Sequence, residues 1–176
     1  HIDHINYTIP QMWFTFILLL SFLYLGSAAQ NTAMTVAEKD SLLFIKKKAA
    51  KGFYNDYLLF IPKGTPLHKK IFLLVEPNNT GKLSDSLELH KKAATDLASA
   101  RSVGNNISTE LKIPLLVPVF PRPASNPFLY THALDRDVML ETSAIYKRPD
   151  LQLVAMLADA SMVFHELDIL IHAKIF

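Results

Sequence analysis

The sequence contains no cysteine, which excludes disulfides, thiolate metal sites and a cysteine nucleophile within this chain. It also has no excess of charge of either sign, because its formal net charge is only +2. A nucleic-acid-binding protein normally carries a strongly basic face, so this class is disfavoured. Glycine is scarce, with five residues, and no Gly-rich phosphate loop follows any predicted strand. A doubly wound domain that binds a nucleotide or a sugar is therefore disfavoured as well.

What the sequence does contain is enough apolar residues for a buried core. The chain has 176 residues, of which 50% are hydrophobic, and this suits one globular domain. Part of that hydrophobicity belongs to one N-terminal block. We therefore expect residues 30–176 to belong to a single domain.

The N-terminal block, residues 12–29, is typical of a secretory signal peptide. Its apolar run, Trp13 to Leu25, is too short for a comfortable membrane span. Ser27 and Ala29 suit the positions that signal peptidase reads, so we expect cleavage after Ala29 and a secreted or periplasmic product. The alternative is an uncleaved membrane anchor. Residues 1–11 carry no pattern and are interpreted as a possible upstream or non-native segment.

Continuous apolar runs alternate with helical periodicity along the rest of the chain. The runs at 53–62, 71–77 and 113–121 predict strands, and "AKIF" at 173–176 predicts the start of another. Helices are predicted at 84–101 and from Pro149 onward, whereas residues 30–50 predict a short helix or irregular lead-in. Strands that are apolar throughout are typical of a sheet covered on both faces. We therefore predict an α/β fold with a mostly parallel sheet and helices on both faces.

Polar residues follow the second predicted strand directly, in "EPNNTG". Ligands bind beyond the carboxyl ends of parallel strands, so Glu76, Asn78, Asn79 and Thr80 are candidate site residues. Backbone N–H groups in such a segment can converge on an anion or a developing oxyanion. By spacing alone, an ordinary Asx turn is the favoured explanation of the two asparagines.

A second polar segment, "YTHALDRD", follows the third predicted strand. Tyr130 and His132 are candidates for substrate binding, and His132 is a candidate base only where a nucleophile lies within reach. The charges at 135–137 are more typical of a structural ion-pair cluster. The histidines in "HELDILIH" lie seven residues apart and do not form a zinc motif, and His90 suits a packed position. The sequence thus predicts no metal site and no cofactor.

Several separated segments together resemble the N-terminal half of secreted α/β-hydrolase-fold esterases and polyester depolymerases. These segments are "LLVEPNNTG", "LLVPVFPRPASN", "YTHALDRD" and "DLQLVAMLADA". The resemblance implies a sheet of the α/β-hydrolase type, incomplete here, and an oxyanion-hole N–H after the strand that ends at Glu76. Asn79 is the first choice for this donor and Thr80 the second, although related enzymes usually carry His-Gly there.

The resemblance implies a secreted serine hydrolase that acts on a small-molecule or polymeric carboxylic ester. The Gly-x-Ser-x-Gly elbow, the acid and the histidine are expected beyond Phe176, so no catalytic residue is assigned here and this chain alone is expected to be inactive. The alternative is a non-catalytic secreted protein that binds a ligand or carbohydrate on the same scaffold. Neither reading involves nucleic acid. A membrane enters only through the export signal or an uncleaved anchor.

Overall fold

The computed structural model describes residues 36–67, 71–76, 83–99, 102–125 and 147–173, with side chains up to residue 168 in the last range. All of them fall within one compact unit, Met34–Phe176. The segments interpreted as upstream sequence and as a signal peptide lie outside the described residues.

Four strands and three α-helices make up this part of the chain. The strands are β1 (Ser41–Ile45), β2 (Tyr57–Ile61), β3 (Leu74–Val75) and β4 (Leu115–Pro118). The helices are α1 (Leu87–Ser99), α2 (Val103–Leu111) and α3 (Pro149–Ala173), and a 3-10 helix spans Ala49–Lys51. Their order along the chain is β1, 3-10 helix, β2, β3, α1, α2, β4, α3.

The four strands form one mixed sheet in the order β1-β2-β4-β3. The pairs β1–β2 and β2–β4 are antiparallel, and only β3–β4 is parallel. The prediction of a mostly parallel sheet of the α/β-hydrolase type is therefore wrong. Continuous apolar runs report that both faces of a strand are buried, but they carry no information about its direction.

The antiparallel start of the sheet arises from a strand that the sequence pattern missed. Residues 41–45 were expected in a helix or irregular lead-in, yet they form β1 and pair with β2 from Ser41↔Ile61 to Ile45↔Tyr57. The short connection between them turns at Gly52, whose φ of 89° is a left-handed conformation that glycine adopts without strain. A connection of this length reverses the chain, because a parallel crossover needs a dozen or more residues.

Both faces of β2 are buried, and a different helix covers each. Tyr57, Leu59 and Ile61 lie in one apolar cluster with Met156, Ala160 and Phe164 of α3. Leu58 and Phe60 lie in a second cluster with Ala94 and Ala98 of α1. Alternate residues of a strand point to opposite faces, so the five-residue apolar run supplies both clusters.

The region between β3 and β4 contains two helices where one was predicted. The expected helix at 84–101 corresponds to α1, which the structure gives as Leu87–Ser99. The additional helix, α2, begins at Ser102, whose side chain accepts a hydrogen bond from the Asn105 N–H at 2.9 Å. This is a standard N-cap contact. Lys112, with a left-handed φ of 55°, ends the helix.

The predicted start of α3 at Pro149 is confirmed. The spacing of Leu151, Val154, Ala155, Ala158 and Met162 predicts an apolar stripe on this helix, but Leu151, Val154 and Met162 are exposed, so the predicted stripe is not the buried face. The residues of α3 that are buried are Gln152, Met156, Asp159, Ala160 and Phe164. The predicted strand at 173–176 is not borne out at Ala173, which still belongs to α3, and residues 174–176 lie outside the described part.

A leucine-to-alanine pair tests the central position of β4. Leu116 is fully buried between β2 and β3, whereas Leu111 at the end of α2 is 61% exposed. We expect Leu116→Ala to lower the free energy of unfolding by about 2–5 kcal/mol, because it removes transfer free energy and leaves a cavity. The matched control, Leu111→Ala, should change it by no more than about 0.5 kcal/mol in urea denaturation. Equal losses in the two variants would contradict the position given to β4.

Candidate functional site

The parallel pair β3–β4 defines the edge at which a ligand site is expected. Glu76 directly follows β3, and its backbone N–H donates to the Leu116 carbonyl at 3.0 Å, which extends the pairing by one residue. The segment after β4 leaves the sheet at the same edge. Tyr57 pairs with Pro118, so the start of β2 also lies there. We name this set of strand ends the carboxyl edge.

The side chain of Glu76 turns toward the start of α2. Its Oε2 accepts a hydrogen bond from Ser102 Oγ at 2.9 Å. A carboxylate beside the first turn of a helix is stabilised by the unpaired N–H groups and the helix dipole. Glu76 is thus held by its backbone on β4 and by its carboxylate on α2.

A buried histidine links the segment before α1 to the segment after β4. His90 is 1% exposed, which confirms its predicted packing. Its Nε2 lies 2.8 Å from the Ser84 carbonyl and 3.2 Å from the Arg122 backbone nitrogen. One ring nitrogen cannot donate and accept at once, and the shorter contact favours an Nε2–H that donates to Ser84.

Two further hydrogen bonds join the same segments. The Ser84 N–H donates to the Arg122 carbonyl at 3.0 Å, and the Ala124 N–H donates to Asp85 Oδ1 at 3.1 Å. The chain that enters α1 and the chain that leaves β4 are therefore connected by both backbone and side-chain contacts. Such mutual contacts give the carboxyl edge a defined geometry without a ligand.

The amino end of β2 contributes a carboxylate to this edge. Asp56 Oδ1 accepts from the Lys47 N–H at 2.8 Å, and its carbonyl accepts from the Val119 N–H at 2.9 Å. Lys91 of α1 lies 3.8 Å from the Asp56 carboxylate and 2.8 Å from that of Glu88. The hydrogen bond to Glu88 contributes most to raising the pKa of Lys91. Asp56 therefore serves mainly to join β1, β2 and β4.

Of the six residues predicted for substrate or oxyanion binding, the structure describes Glu76 alone. Asn78, Asn79, Thr80, Tyr130 and His132 lie outside the described residues, as do the charges at 135–137. Within the described ranges, no group of three or more His, Asp or Glu side chains is arranged to hold a metal ion. No helix in those same ranges is both long enough and apolar enough to cross a membrane.

The structure also contains a buried charged cluster that the sequence pattern did not predict, on the α3 face of the sheet. Asp159 is 1% exposed and accepts hydrogen bonds from Lys51 Nζ at 2.6 Å, Tyr57 Oη at 2.9 Å and Lys48 Nζ at 3.0 Å. Burial opposes ionisation of this carboxyl, but the hydrogen bonds from Lys51, Lys48 and Tyr57 outweigh it and lower its pKa. Burial, followed by the bond to Asp159, raises the pKa of Tyr57.

A second buried polar residue of α3, Gln152, lies two turns before Asp159. Its Oε1 accepts from the Tyr54 N–H at 2.9 Å and from Asn55 Nδ2 at 3.0 Å, and its Nε2 donates to the Lys147 carbonyl at 3.1 Å. Gln152 and Asp159 together attach α3 to the β1–β2 connection. Their spacing of seven residues, which places them on one helix face, was the available sequence signal.

Comparisons with protein-family models, with curated proteins and with solved structures found no match to this chain.

The Asp159 cluster predicts a large stability difference between two aspartates. Asp159→Ala removes the acceptor for three donors, and the buried Tyr57 hydroxyl then loses its hydrogen bond to the carboxylate. The Lys48 and Lys51 side chains are 41% and 43% exposed, so water can solvate them once the carboxylate is gone. We therefore expect the free energy of unfolding to fall by about 2–3 kcal/mol, at or below the low end for breaking a buried ion pair. Asp96→Ala is the control, because the Asp96 carboxylate is 58% exposed and pairs only with Lys92. It should cost no more than about 0.5 kcal/mol.

The same cluster predicts the direction of a pH effect. The pKa of Asp159 is lower in the folded protein than in the unfolded chain, so its contribution is fully present at neutral pH. That contribution is lost as the pH falls through the folded-state value. The stability gap between the wild type and Asp159→Asn should therefore narrow below about pH 4. A gap that stays constant from neutral pH to pH 3 would show that folding does not lower the pKa of Asp159.

Proposed function

We propose that this chain is part of a secreted serine hydrolase that cleaves a small-molecule or polymeric carboxylic ester. The proposal draws on the resemblance of four separated sequence segments to secreted esterases and polyester depolymerases. The observation that carries it furthest is the position of Glu76. Glu76 directly follows β3, which is parallel to β4. The carboxyl ends of parallel strands are where α/β sheets bind ligands, and Glu76 lies at that edge.

In this proposal, the residues after Glu76 supply electrostatic stabilisation to the reaction. A serine attacks the ester carbonyl, and the tetrahedral oxyanion accepts a hydrogen bond from a backbone N–H, first from Asn79 or else from Thr80. Asn78, Tyr130 and His132 are proposed to contact the substrate. The serine, histidine and acid would come from residues outside this chain, and no cofactor is required.

A non-catalytic secreted protein that binds a ligand or carbohydrate is the second candidate. It is favoured by the way in which the described polar groups of the carboxyl edge bind one another, with Glu76 on Ser102 and Asp85 on Ala124. Polar groups that are already held in place before a ligand arrives suit a binding protein, because less conformational entropy is lost on binding.

Labelling with a fluorophosphonate, which reacts with activated serines, separates these two candidates. The secreted product of the natural gene is incubated with the probe and with a p-nitrophenyl ester, and the labelled peptide is mapped. We expect hydrolysis and a labelled serine that lies outside residues 30–176. Neither labelling nor hydrolysis of any ester tested would favour the binding protein. A labelled serine inside residues 30–176 would contradict the assignment of the nucleophile.

Two substitutions at Asn79 test the oxyanion donor. Asn79→Pro removes the backbone N–H and should lower kcat about a hundredfold or more, the usual result of losing one oxyanion donor. Asn79→Ala keeps that N–H and should have a much smaller effect. An unchanged kcat for a folded Asn79→Pro variant would show that the donor lies elsewhere.

Export provides a separate test of the N-terminal segment. If residues 12–29 are a signal peptide, N-terminal sequencing of the secreted product should begin at Gln30. Recovery of Met12 on membrane-bound protein would instead support the uncleaved anchor.

A further inference from the structure

We infer that Glu76 is a positioning residue that holds the end of β3 in place, and that its carboxylate does not contact the substrate. This inference rests on the proposed function, because the position it holds is the point from which the proposed oxyanion-binding segment leaves the sheet. It assigns Glu76 a role different from the substrate contact that the sequence predicts.

The backbone hydrogen bonds between β3 and β4 extend one residue beyond β3. The Leu74 N–H donates to the Pro114 carbonyl at 2.9 Å, and the Glu76 N–H donates to the Leu116 carbonyl at 3.0 Å. Leu116 is itself fully buried. Glu76 therefore extends the pairing of β3 with the buried strand β4 by one residue.

The carboxylate provides a second, independent attachment. Ser102 Oγ donates to Glu76 Oε2 at 2.9 Å. Ser102 Oγ also accepts from the Asn105 N–H at 2.9 Å. The Ser102 hydroxyl also lies 2.7 Å from the Leu97 carbonyl, so its single proton is shared between this carbonyl and Glu76 Oε2. Glu76 is thus connected to the end of α1 and to the start of α2 through one serine.

Gly104 shows how closely the carboxylate packs against α2. A Cβ added at this position would lie 2.9 Å from Cδ of Glu76, and closer still to Oε2. Real Cβ atoms do not tolerate such a distance, so a side chain at this position would have to displace the carboxylate of Glu76. Glycine within a helix is less favourable than alanine, so space for Glu76 is a physical reason for this residue. Oε2 of a carboxylate packed in this way is directed at the helix, where Ser102 already binds it.

Kinetics of four variants test the inference in the full secreted protein. We expect Glu76→Ala and Ser102→Ala each to lower kcat about tenfold or more with little change in KM, because a small displacement misplaces the oxyanion donor. The double variant should be no worse than the poorer single variant, since both changes break the same contact. Glu76→Gln should retain most of the activity, because an amide oxygen still accepts from Ser102. Glu88→Ala is the control, since the Glu88 side chain is 80% exposed, and it should leave the kinetics unchanged.

Active-site titration with the fluorophosphonate separates positioning from a merely structural role. A structural role lowers the fraction of titratable sites but leaves kcat per titrated site at the wild-type value, and that result would overturn the inference. A substrate contact would raise KM in Glu76→Ala and Glu76→Gln but not in Ser102→Ala, which would also overturn it. A wild-type protein that neither hydrolyses esters nor reacts with the probe would instead overturn the proposed function, and the inference with it.

Should Glu76→Ala fail to fold, Gly104→Ala provides the same test from the other side of the contact. Its added Cβ displaces the carboxylate without removing it, so kcat per titrated site should fall as in Ser102→Ala. Combined with Ser102→Ala, it should cause little further loss. Wild-type kcat per titrated site in Gly104→Ala would overturn the inference.

Discussion

The antiparallel pairing of β2 with β4 is the interaction on which the other contacts depend. Both strands are buried on both faces, and each side chain that they carry, apart from Pro118, belongs to one of two apolar clusters. β1 pairs on the outer side of β2, and β3 pairs on the outer side of β4. The two central strands thus provide the surface on which α1 packs from one side and α3 from the other. Burial of apolar surface of this kind is the dominant favourable term in folding.

Polar contacts then determine how the helices lie on that apolar surface. Apolar packing alone allows a helix to rotate about its axis at little cost. A buried carboxylate or amide is stable only in a position where hydrogen-bond partners can reach it. Asp159 and Gln152 fix the rotation of α3 because their partners lie in and around the β1–β2 connection. His90 has the corresponding role for α1, through the Ser84 carbonyl. Glu76 attaches the start of α2 to the end of β3. These contacts stabilise one arrangement among several that would bury similar apolar area.

How much of the candidate site can be predicted from the sequence depends on the residue. Glu76 is predicted at the end of a strand, because an apolar run stops there, and the structure has it directly after β3. Its contact with Ser102 could not be predicted, since the two lie 26 residues apart and α2 itself was not recognised. A proline, two asparagines and a threonine after a strand indicate a polar segment but not the direction of any N–H. The oxyanion assignment therefore stays a prediction that comes from the resemblance.

The burial of the strands and the start of α3 follow from the local amino-acid pattern. The run at 57–61 is buried throughout, and Pro149 opens α3 because its missing N–H has no intrahelical partner at that position. Only the tertiary structure decided the directions of the strands and the face of α3 that packs inward. α3 is apolar on every side, so its periodicity does not select a face, and Leu151 and Val154 remain exposed. The choice depends on partners such as Tyr57 and Asp159, which are separated by 102 residues. Local patterns report conformation and burial, but contacts between such distant residues form only when the whole sheet is assembled.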